Sequence, residues 1–291
     1  MESTARNLFA LSNLRVSNNL PEILAVTSGK GGVGKTNISV NIAILFKKLK
    51  KKVLLIDADI HLGNVDLFLG IRPVHTIADV LTGTVDLQKV IIQGPGNIDI
   101  LPASSAVLDV SQSDDDNLRK LNDAFAKFEH EYDTVVVDTG AGISRNVLSF
   151  VLGADKVVLV VTPDPAAIAD AYGVVKVLKR SHMETPIIMI ANMVSSEEEG
   201  ESLYKKMSLM VQRFLESEIT FGGALLRDNQ VVDSIRRQRP LVLEHPSSTP
   251  THTFKVITHR LLRLPSIDAG KRTPFFNRVM NNRNIIVGGA S

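Results

Sequence analysis

The sequence of 291 residues contains no cysteine, carries a net charge of only +2 and has no long apolar run. The absence of cysteine excludes disulfides, zinc–thiolate sites, iron–sulfur clusters and cysteine nucleophiles, and it fits a reducing cytoplasm. The small net charge gives no global basic field to attract nucleic acid. No apolar run approaches the ~20 residues that cross a bilayer. Residues 1–7 lack the basic start and apolar stretch of a secretory signal. We therefore expect a cytoplasmic protein.

Strand-like and helical patterns alternate along the chain. Most of the strand-like runs are apolar throughout, which is typical of strands covered on both faces. The alternation predicts an α/β fold with a mainly parallel, twisted sheet and helices on both faces. We expect an N-terminal tail at 1–21, one domain at 22–265 and a C-terminal tail at 266–291. Strands are predicted at 23–28, 53–58, 98–101, 134–138, 156–162 and 187–191, and helices at 36–50, 115–131, 144–152, 166–181, 200–216 and 250–264.

Residues 29–36 fit the phosphate-binding loop G-x-x-x-x-G-K-[ST] and lie between a predicted strand and a predicted helix. Glycines let the backbone approach phosphates, and the helix offers its positive N-terminal end to the anion. In such a loop Lys35 reaches the β- and γ-phosphates of a nucleotide, and the Thr36 hydroxyl ligates Mg²⁺. The candidate ATP-binding stretch comprises Gly29, Lys30, Gly31, Gly32, Val33, Gly34, Lys35, Thr36 and Asn37.

Lys30 is a second cation in a loop that already concentrates N–H dipoles. A second lysine at this position is explained if the loop meets more negative charge than the phosphates of a single bound nucleotide. Gly-Lys-Gly-Gly-Val-Gly-Lys-Thr resembles the deviant phosphate loop of the MinD/ParA ATPases, which are P-loop NTPases. In that family the matching lysine reaches the partner's nucleotide across a dimer. The resemblance thus implies an ATPase that forms an ATP-dependent homodimer, with Lys30 acting in trans.

Three aspartates follow strand-like runs, where a parallel sheet binds its ligands. An aspartate after three consecutive valines is costly to desolvate, so Asp138 is predicted to hold Mg²⁺ through water; a turn-capping role is the alternative. Asp57 and Asp59 face the same way along an extended strand. The resemblance implies that Asp59 orients the attacking water and that Asp57 supports Mg²⁺. For Asp57, a group behind the metal ligands that is satisfied by water is the alternative.

Two later segments are candidates for binding adenine. Asn192 ends an apolar run, and its amide can both donate to and accept from a purine edge, although it could equally be a turn residue. Residues 223–228 resemble the second base-contacting loop of the family, which makes Leu226 and Asp228 candidates for the ATP site.

Several stretches resemble one branch of the family, the flagellar-number regulators. They are Asn37 after the phosphate-loop threonine, Asp-Thr-Gly-Ala-Gly at 138–142, the segment 162–172 and Gln-Arg-Pro at 238–240. The resemblance implies as partners the SRP-type GTPase FlhF, flagellar switch proteins or a flagellar transcription activator. Residues 3–9 keep only the alanine and leucine of the branch's Asp-Gln-Ala-x-x-Leu-Arg motif, so the chain departs from the segment that stimulates FlhF in that branch.

Two other functions share the same chemistry. One is a division-site regulator like MinD, and the other is a DNA-segregating ATPase like ParA. DNA binding would need a basic patch, and the densest one in the core is Arg236, Arg237 and Arg239. A solvated helix end that favours cations is the simpler interpretation, so DNA is not expected as a partner.

The C-terminal tail is predicted to be an amphipathic helix that contacts anionic lipid at the inner face of the cell membrane. The membrane-contact candidates are Phe275, Phe276, Val279 and Met280, with Lys271, Arg272, Arg278 and Arg283 supplying charge. The alternative is that the two phenylalanines pack back onto the core.

Overall fold

The computed structural model describes residues 20–59, 63, 65–102, 115–181, 184–266 and 272–288. Within these residues eight strands form one sheet in the order β3-β4-β2-β5-β1-β6-β7-β8. All neighbours pair in parallel except β3 with β4, which are antiparallel. The strands are β1 (Glu22–Ser28), β2 (Val53–Ala58), β3 (Ile92–Gln93), β4 (Asp99–Leu101), β5 (Thr134–Ala141), β6 (Lys156–Val161), β7 (Ile187–Val194) and β8 (Thr220–Leu226).

Helices cover both faces of the sheet. Alternate strand residues point to opposite sides, and because both sets are apolar, both faces must be buried. In β1, for example, Ile23 and Ala25 belong to one buried apolar cluster, whereas Leu24 and Val26 belong to the other. The described helices are α1 (Lys35–Lys48), α2 (Val65–Leu69), α3 (Ile77–Leu81), α4 (Leu87–Val90), α5 (Asp115–Ala126), α6 (Arg145–Leu152), α7 (Pro165–Arg180), α8 (Glu197–Leu215), α9 (Asn229–Arg236), α10 (Leu241–Glu244), α11 (Thr249–Arg263) and α12 (Phe275–Gly288).

The predicted α/β architecture is confirmed, and the predicted strands and helices match observed ones with shifted ends. Two strands and five helices were not predicted: β3, β8, α2, α3, α4, α9 and α10. Helix α12 was predicted as a helix, but as one that contacts lipid and not as part of the core. β8 contains Gly222 and Gly223, which weaken a strand pattern. The new helices α2 to α4 and α10 have only four or five residues, too few to show a helical period.

The C-terminal helix differs from the prediction of a membrane-contacting tail. Phe275, Phe276 and Val279 are buried in the same cluster as the sheet, and Met280 is partly buried against it. The ring of Phe276 lies 4.9 Å from that of Phe125 on α5 and 6.4 Å from that of Phe150 on α6. These four side chains therefore do not face lipid in this structure, which corrects the prediction. Ile286 and Arg283 have side chains outside the described residues, as do residues 1–19 of the N-terminal tail.

Ion pairs and a hydrogen bond with buried carboxylates hold α12 and the residues just before it against the core. Arg278 lies 2.6 Å from the fully buried carboxylate of Asp155, and Arg272 lies 3.5 Å from its other oxygen. The Phe275 N–H donates to Glu129 at 3.2 Å, and burial raises the pKa of Glu129. Two of the cations predicted to attract lipid, Arg272 and Arg278, thus neutralise a buried acid. Among the described helices none has the length and apolar character needed to span a bilayer.

Candidate functional site

The phosphate loop joins the end of β1 to the start of α1, as predicted. Gly32 and Gly34 have φ values of 75° and 92°, a left-handed conformation that favours glycine. Gly29 is required by space, because a Cβ there would lie 2.2 Å from the backbone carbonyl carbon of Asp170 on α7. No side chain caps the N-terminus of α1, and its first turn contains no acidic residue. The loop therefore leaves its N–H groups and the helix dipole available to an anion.

Asp138 lies at the C-terminal edge of the sheet beside the start of α1. The hydroxyls of Thr36 and Ser39 donate to its two oxygens at 2.7 and 2.8 Å. Burial raises its pKa to about 6, against the lowering effect of these hydrogen bonds. The sequence analysis did not identify Ser39, although Ser39 lies one turn after Thr36 on the same helical face.

Asp57 pairs with Asp138 across β2 and β5, so two buried carboxylates share one edge. The backbone N–H groups of Asp59 and Val65 donate to Asp57 at 3.1 and 3.0 Å. Burial and the charge of Asp138 raise the pKa of Asp57 to about 7. Two neighbouring carboxyls with raised pKa values form a set that a divalent cation would stabilise in the ionised form.

Lys35 and Asp59 complete this edge. Lys35 is buried, and burial lowers its pKa while the charges of Asp138 and Asp59 oppose the shift. Asp59 lines a cavity of about 60 Å³ together with Gly140. A Cβ at Gly140 would lie 3.3 Å from a methyl group of Val147 and 3.4 Å from an Asp59 carboxylate oxygen, so a larger residue would fit there only tightly. A cavity of this size is large enough for one or two waters.

Lys30 is about half exposed and lies 3.3 Å from the carboxylate of Asp164. Asp164 also caps α7 by accepting from the Ala167 N–H at 2.9 Å, and this bond lowers its pKa, with a smaller contribution from Lys30. The Gly142 N–H donates to Ser28 at 2.8 Å, which places the 140–142 loop against the phosphate loop. Ile143, next in sequence, is 53% exposed. The sequence analysis did not identify Asp164 as a partner of Lys30.

A cavity of about 650 Å³ adjoins the phosphate loop on the side of β7 and β8, and Gly34, Asn37, Asn192, Leu226 and Asp228 all line it. Asn192 donates from its amide nitrogen to the Val33 carbonyl at 2.7 Å, so this donor holds the phosphate loop. Asp228 caps α9 by accepting from the Gln230 N–H. The structure therefore brings the predicted base-contact residues to one cavity, and their contact with a base stays a prediction.

Helix α9 forms a wall of this cavity through Val231, Val232 and Ile235, which the sequence analysis did not identify. Their spacing of one and four residues is a helical signal that follows Asp228 directly. The Arg227 guanidinium also reaches across to the Met193 carbonyl at 2.8 Å.

Comparisons with known proteins agree with this geometry. Residues 21–189 match a family described as the AAA domain. Antiactivator FleN of Pseudomonas aeruginosa is 37% identical over 263 residues, which cover 90% of this chain and 94% of FleN. The flagellum site-determining protein YlxH of Helicobacter pylori is 34% identical over 229 residues, which cover 76% of this chain and 74% of YlxH.

Solved structures extend the comparison to the fold. The MinD cell division protein of Aquifex aeolicus is 30% identical with a TM-score of 0.66, covering 84% of this chain and 98% of that chain. MinD of Pyrococcus horikoshii, solved in complex with Mg-ADP, is 24% identical with a TM-score of 0.67, covering 84% of this chain and 97% of that one. Both the fold and the resemblance inferred from the phosphate loop are confirmed. The chain belongs to the MinD/ParA family of P-loop ATPases, with FleN and YlxH among its relatives, and it hydrolyses ATP.

Proposed function

We propose that this ATPase is a nucleotide-dependent switch that regulates the number or placement of flagella. The observation that carries the proposal is the similarity to FleN, an antiactivator, over nine-tenths of both chains. The similarity to YlxH, a flagellum site-determining protein, supports the same process. A flagellar transcription activator, flagellar switch proteins and FlhF are the candidate partners. The part of the chain proposed to stimulate FlhF, residues 3–9, lies outside the described residues.

The switch is proposed to be an ATP-dependent homodimer. Lys30 is about half exposed within the phosphate loop, and the apolar side chain of Ile143 is exposed on the adjoining loop. A cation and an apolar side chain on the nucleotide-binding edge suit contact with a second copy that carries its own triphosphate. In such a dimer Lys30 reaches the partner's nucleotide, and its ion pair with Asp164 is exchanged for phosphate oxygens.

The donor set fits magnesium. A hydroxyl, two carboxylates and water are hard oxygen ligands, and Mg²⁺ prefers a few carboxylates completed by phosphate oxygens and water. Among the described residues no group of three or more His, Cys, Asp or Glu is placed to hold a metal ion. Thr36 and Asp138 would hold the ion, supported by Asp57. When bound, Mg²⁺ neutralises charge on phosphate oxygens.

Hydrolysis is proposed to depend on Asp59, which faces the 60 Å³ cavity and would orient the attacking water there. Lys35 would bind the β- and γ-phosphates and stabilise the charge of the transferring group, together with Lys30 of the second copy. Asp59→Ala should therefore bind ATP with little change but hydrolyse it about 10² to 10⁴ times more slowly. Near-normal turnover in this variant would remove Asp59 from the mechanism.

Membrane attachment stays part of the proposal, but not through the buried face of α12. Co-sedimentation with anionic liposomes, with and without ATP, tests it directly. ATP-dependent pelleting would support attachment of the dimer, and the absence of pelleting in both states would contradict it.

The observed ion pairs do not favour the alternative of DNA segregation. Arg237 and Arg239 both pair with Glu244, at 3.5 and 3.3 Å, and Arg236 lies 4.0 Å from Asp233. Two carboxylates offset part of the charge of these three arginines, which weakens their attraction to a phosphate backbone. Division-site regulation shares the ATPase chemistry, so only the biological partner separates it from the flagellar function.

Deletion of the gene in its own host tests the flagellar function. We expect the deletion strain to change its number or position of flagella while dividing and partitioning its chromosome normally. Wild-type protein should restore the pattern, and Asp59→Ala should not. Minicells with an unchanged flagellar pattern would instead support the division-site function.

A further inference from the structure

Gln238, from the Gln-Arg-Pro segment, lies between the 650 Å³ cavity and the helix α2 that contacts Asp57. It lies just after α9 with a φ of 55°, a left-handed conformation that is uncommon for residues other than glycine. Its backbone N–H donates to Ile235, and the next N–H, of Arg239, donates to Ser234. These bonds hold the end of α9 in this uncommon conformation.

The side chain of Gln238 reaches α2, which is remote in sequence. Its amide nitrogen donates to the Leu67 carbonyl at 2.7 Å. Gly70 makes room for the amide, because a Cβ at Gly70 would lie 2.8 Å from the Gln238 side-chain oxygen. Gln238 thus contacts the C-terminal half of α2 through a specific hydrogen bond and a close approach.

The other end of α2 contacts the acidic edge. Val65, its first residue, donates its N–H to the buried carboxylate of Asp57 at 3.0 Å. Because α2 has only five residues, its own hydrogen bonds hold it weakly, and outside contacts decide its position. Gln238 supplies such a contact.

Helix α9 in turn forms a wall of the 650 Å³ cavity through Val231, Val232 and Ile235. A continuous series of contacts therefore runs from the cavity through α9, Gln238 and α2 to Asp57.

We infer that Gln238 is a positioning residue for ATP hydrolysis. Its hydrogen bond to the Leu67 carbonyl holds α2 in the position from which the Val65 N–H donates to Asp57. Because Gln238 directly follows α9, it also connects the wall of the 650 Å³ cavity to the proposed magnesium site. Gln238 itself contacts neither nucleotide nor reacting atoms in this arrangement. The inference rests on the magnesium site proposed above. Loss of a group that hydrogen-bonds a metal ligand directly typically costs about 10- to 100-fold in metal affinity or activity. Gln238 acts through α2 and lies further from the ligands, so its loss should cost no more than the lower end of this range.

The test compares Gln238→Glu with wild type in the full chain. Glutamate has the same size but places an acceptor against the Leu67 carbonyl, so the hydrogen bond is lost. We expect kcat to fall about 10-fold, the Mg²⁺ concentration for half-maximal activity to rise, and KM for ATP to stay within about twofold. The amides of residues 65–70 should exchange hydrogen faster. Gln212→Glu, on the exposed surface of α8, makes the same charge change and should alter none of these quantities.

Gln238→Gly provides a second variant that removes the side chain and suits the positive φ, so the fold is not strained. It should reproduce the effects of Gln238→Glu. The inference would be overturned if amide hydrogen exchange at residues 65–70 were the same in the Gln238 variants as in wild type. It would also be overturned if this exchange were faster while kcat and the Mg²⁺ dependence of activity were unchanged. Asp57→Asn is measured alongside. If it shifts the Mg²⁺ dependence while the Gln238 variants do not, only the role of Gln238 fails. If Asp57→Asn itself has no effect, the magnesium proposal fails.

Discussion

Asp57 and Asp138 are buried next to each other at the edge of the sheet, and each has a raised pKa. Burial of like charges is unfavourable for folding, so these residues are retained at a cost in stability. Such a cost is typical of sites that bind a cation and its ligand. It also has a consequence for the pH dependence of the nucleotide-free protein.

With a metal chelator and no nucleotide, the contribution of Asp57 to the free energy of unfolding should fall as pH rises from 3.8, the ordinary pKa of Asp57, to its folded value of about 7. In this range the unfolded chain has released the proton that the folded chain keeps, so the slope is negative. Asp57→Asn removes one titrating group and should make the slope shallower. Melting temperatures across pH give the measurement, and an unchanged slope in Asp57→Asn would contradict the raised pKa.

Asp164 should restrain Lys30 before a dimer forms. Asp164→Ser keeps a residue able to cap α7 but removes the carboxylate that pairs with Lys30. An exposed ion pair stabilises only weakly, so the ATP concentration for half-maximal dimerisation should fall by up to about fivefold. Asp86→Ser, at the N-terminus of α4, serves as the control. A higher ATP requirement in Asp164→Ser would show that Asp164 assists dimerisation instead.

The residues of the phosphate-binding edge could be predicted from the sequence because local patterns place them. The loop motif and the aspartates that follow apolar runs depend only on neighbours in sequence. Asp164 and Gln238 could not be predicted, because their partners Lys30 and Leu67 are more than one hundred residues away. Contacts of that kind depend on topology, which one sequence does not provide.

Among the elements, α12 shows where a sequence pattern is ambiguous. An amphipathic helix with basic residues can cover lipid or cover the protein's own core, and the apolar face is similar in both cases. The residues that this helix contacts distinguish the two cases. The ring of Phe276 packs against Phe125 and Phe150. The arginines at and before the start of the helix pair with Asp155. Of the two interpretations of Phe275 and Phe276 considered from the sequence, packing onto the core is the one observed.

Truncation of a docked ring should therefore destabilise the protein. Phe276→Ala should lower the free energy of unfolding by about 3–5 kcal/mol, because the side chain is 3% exposed and leaves a cavity among aromatic neighbours. Phe214→Ala, on α8 with 65% exposure, is the matched control and should change it by less than about 0.5 kcal/mol. Urea unfolding of the two variants gives the comparison. Equally small effects would mean that α12 is not docked in solution.

Over the whole molecule, one edge of the sheet carries the phosphate loop, the carboxylates and the base-side cavity, while α12 packs on a face formed by α5 and α6. The exposed Lys30 and Ile143 lie at the nucleotide edge. Two copies that meet at this edge would each complete the other's site. The nucleotide would then control the oligomeric state, and the oligomeric state would control partner binding.

The molecular mass in the presence of Mg²⁺ and ATP, measured by light scattering, shows whether ATP produces a dimer that requires Lys30. Asp59→Ala, which should retain ATP, is measured with and without the additional change Lys30→Ala, and Lys205→Ala on exposed α8 is the control for loss of a lysine. The account predicts twice the monomer mass for Asp59→Ala and for its combination with Lys205→Ala, and the monomer mass when Lys30 is also replaced. A dimer that persists without Lys30, or a monomer in all three proteins, would contradict it.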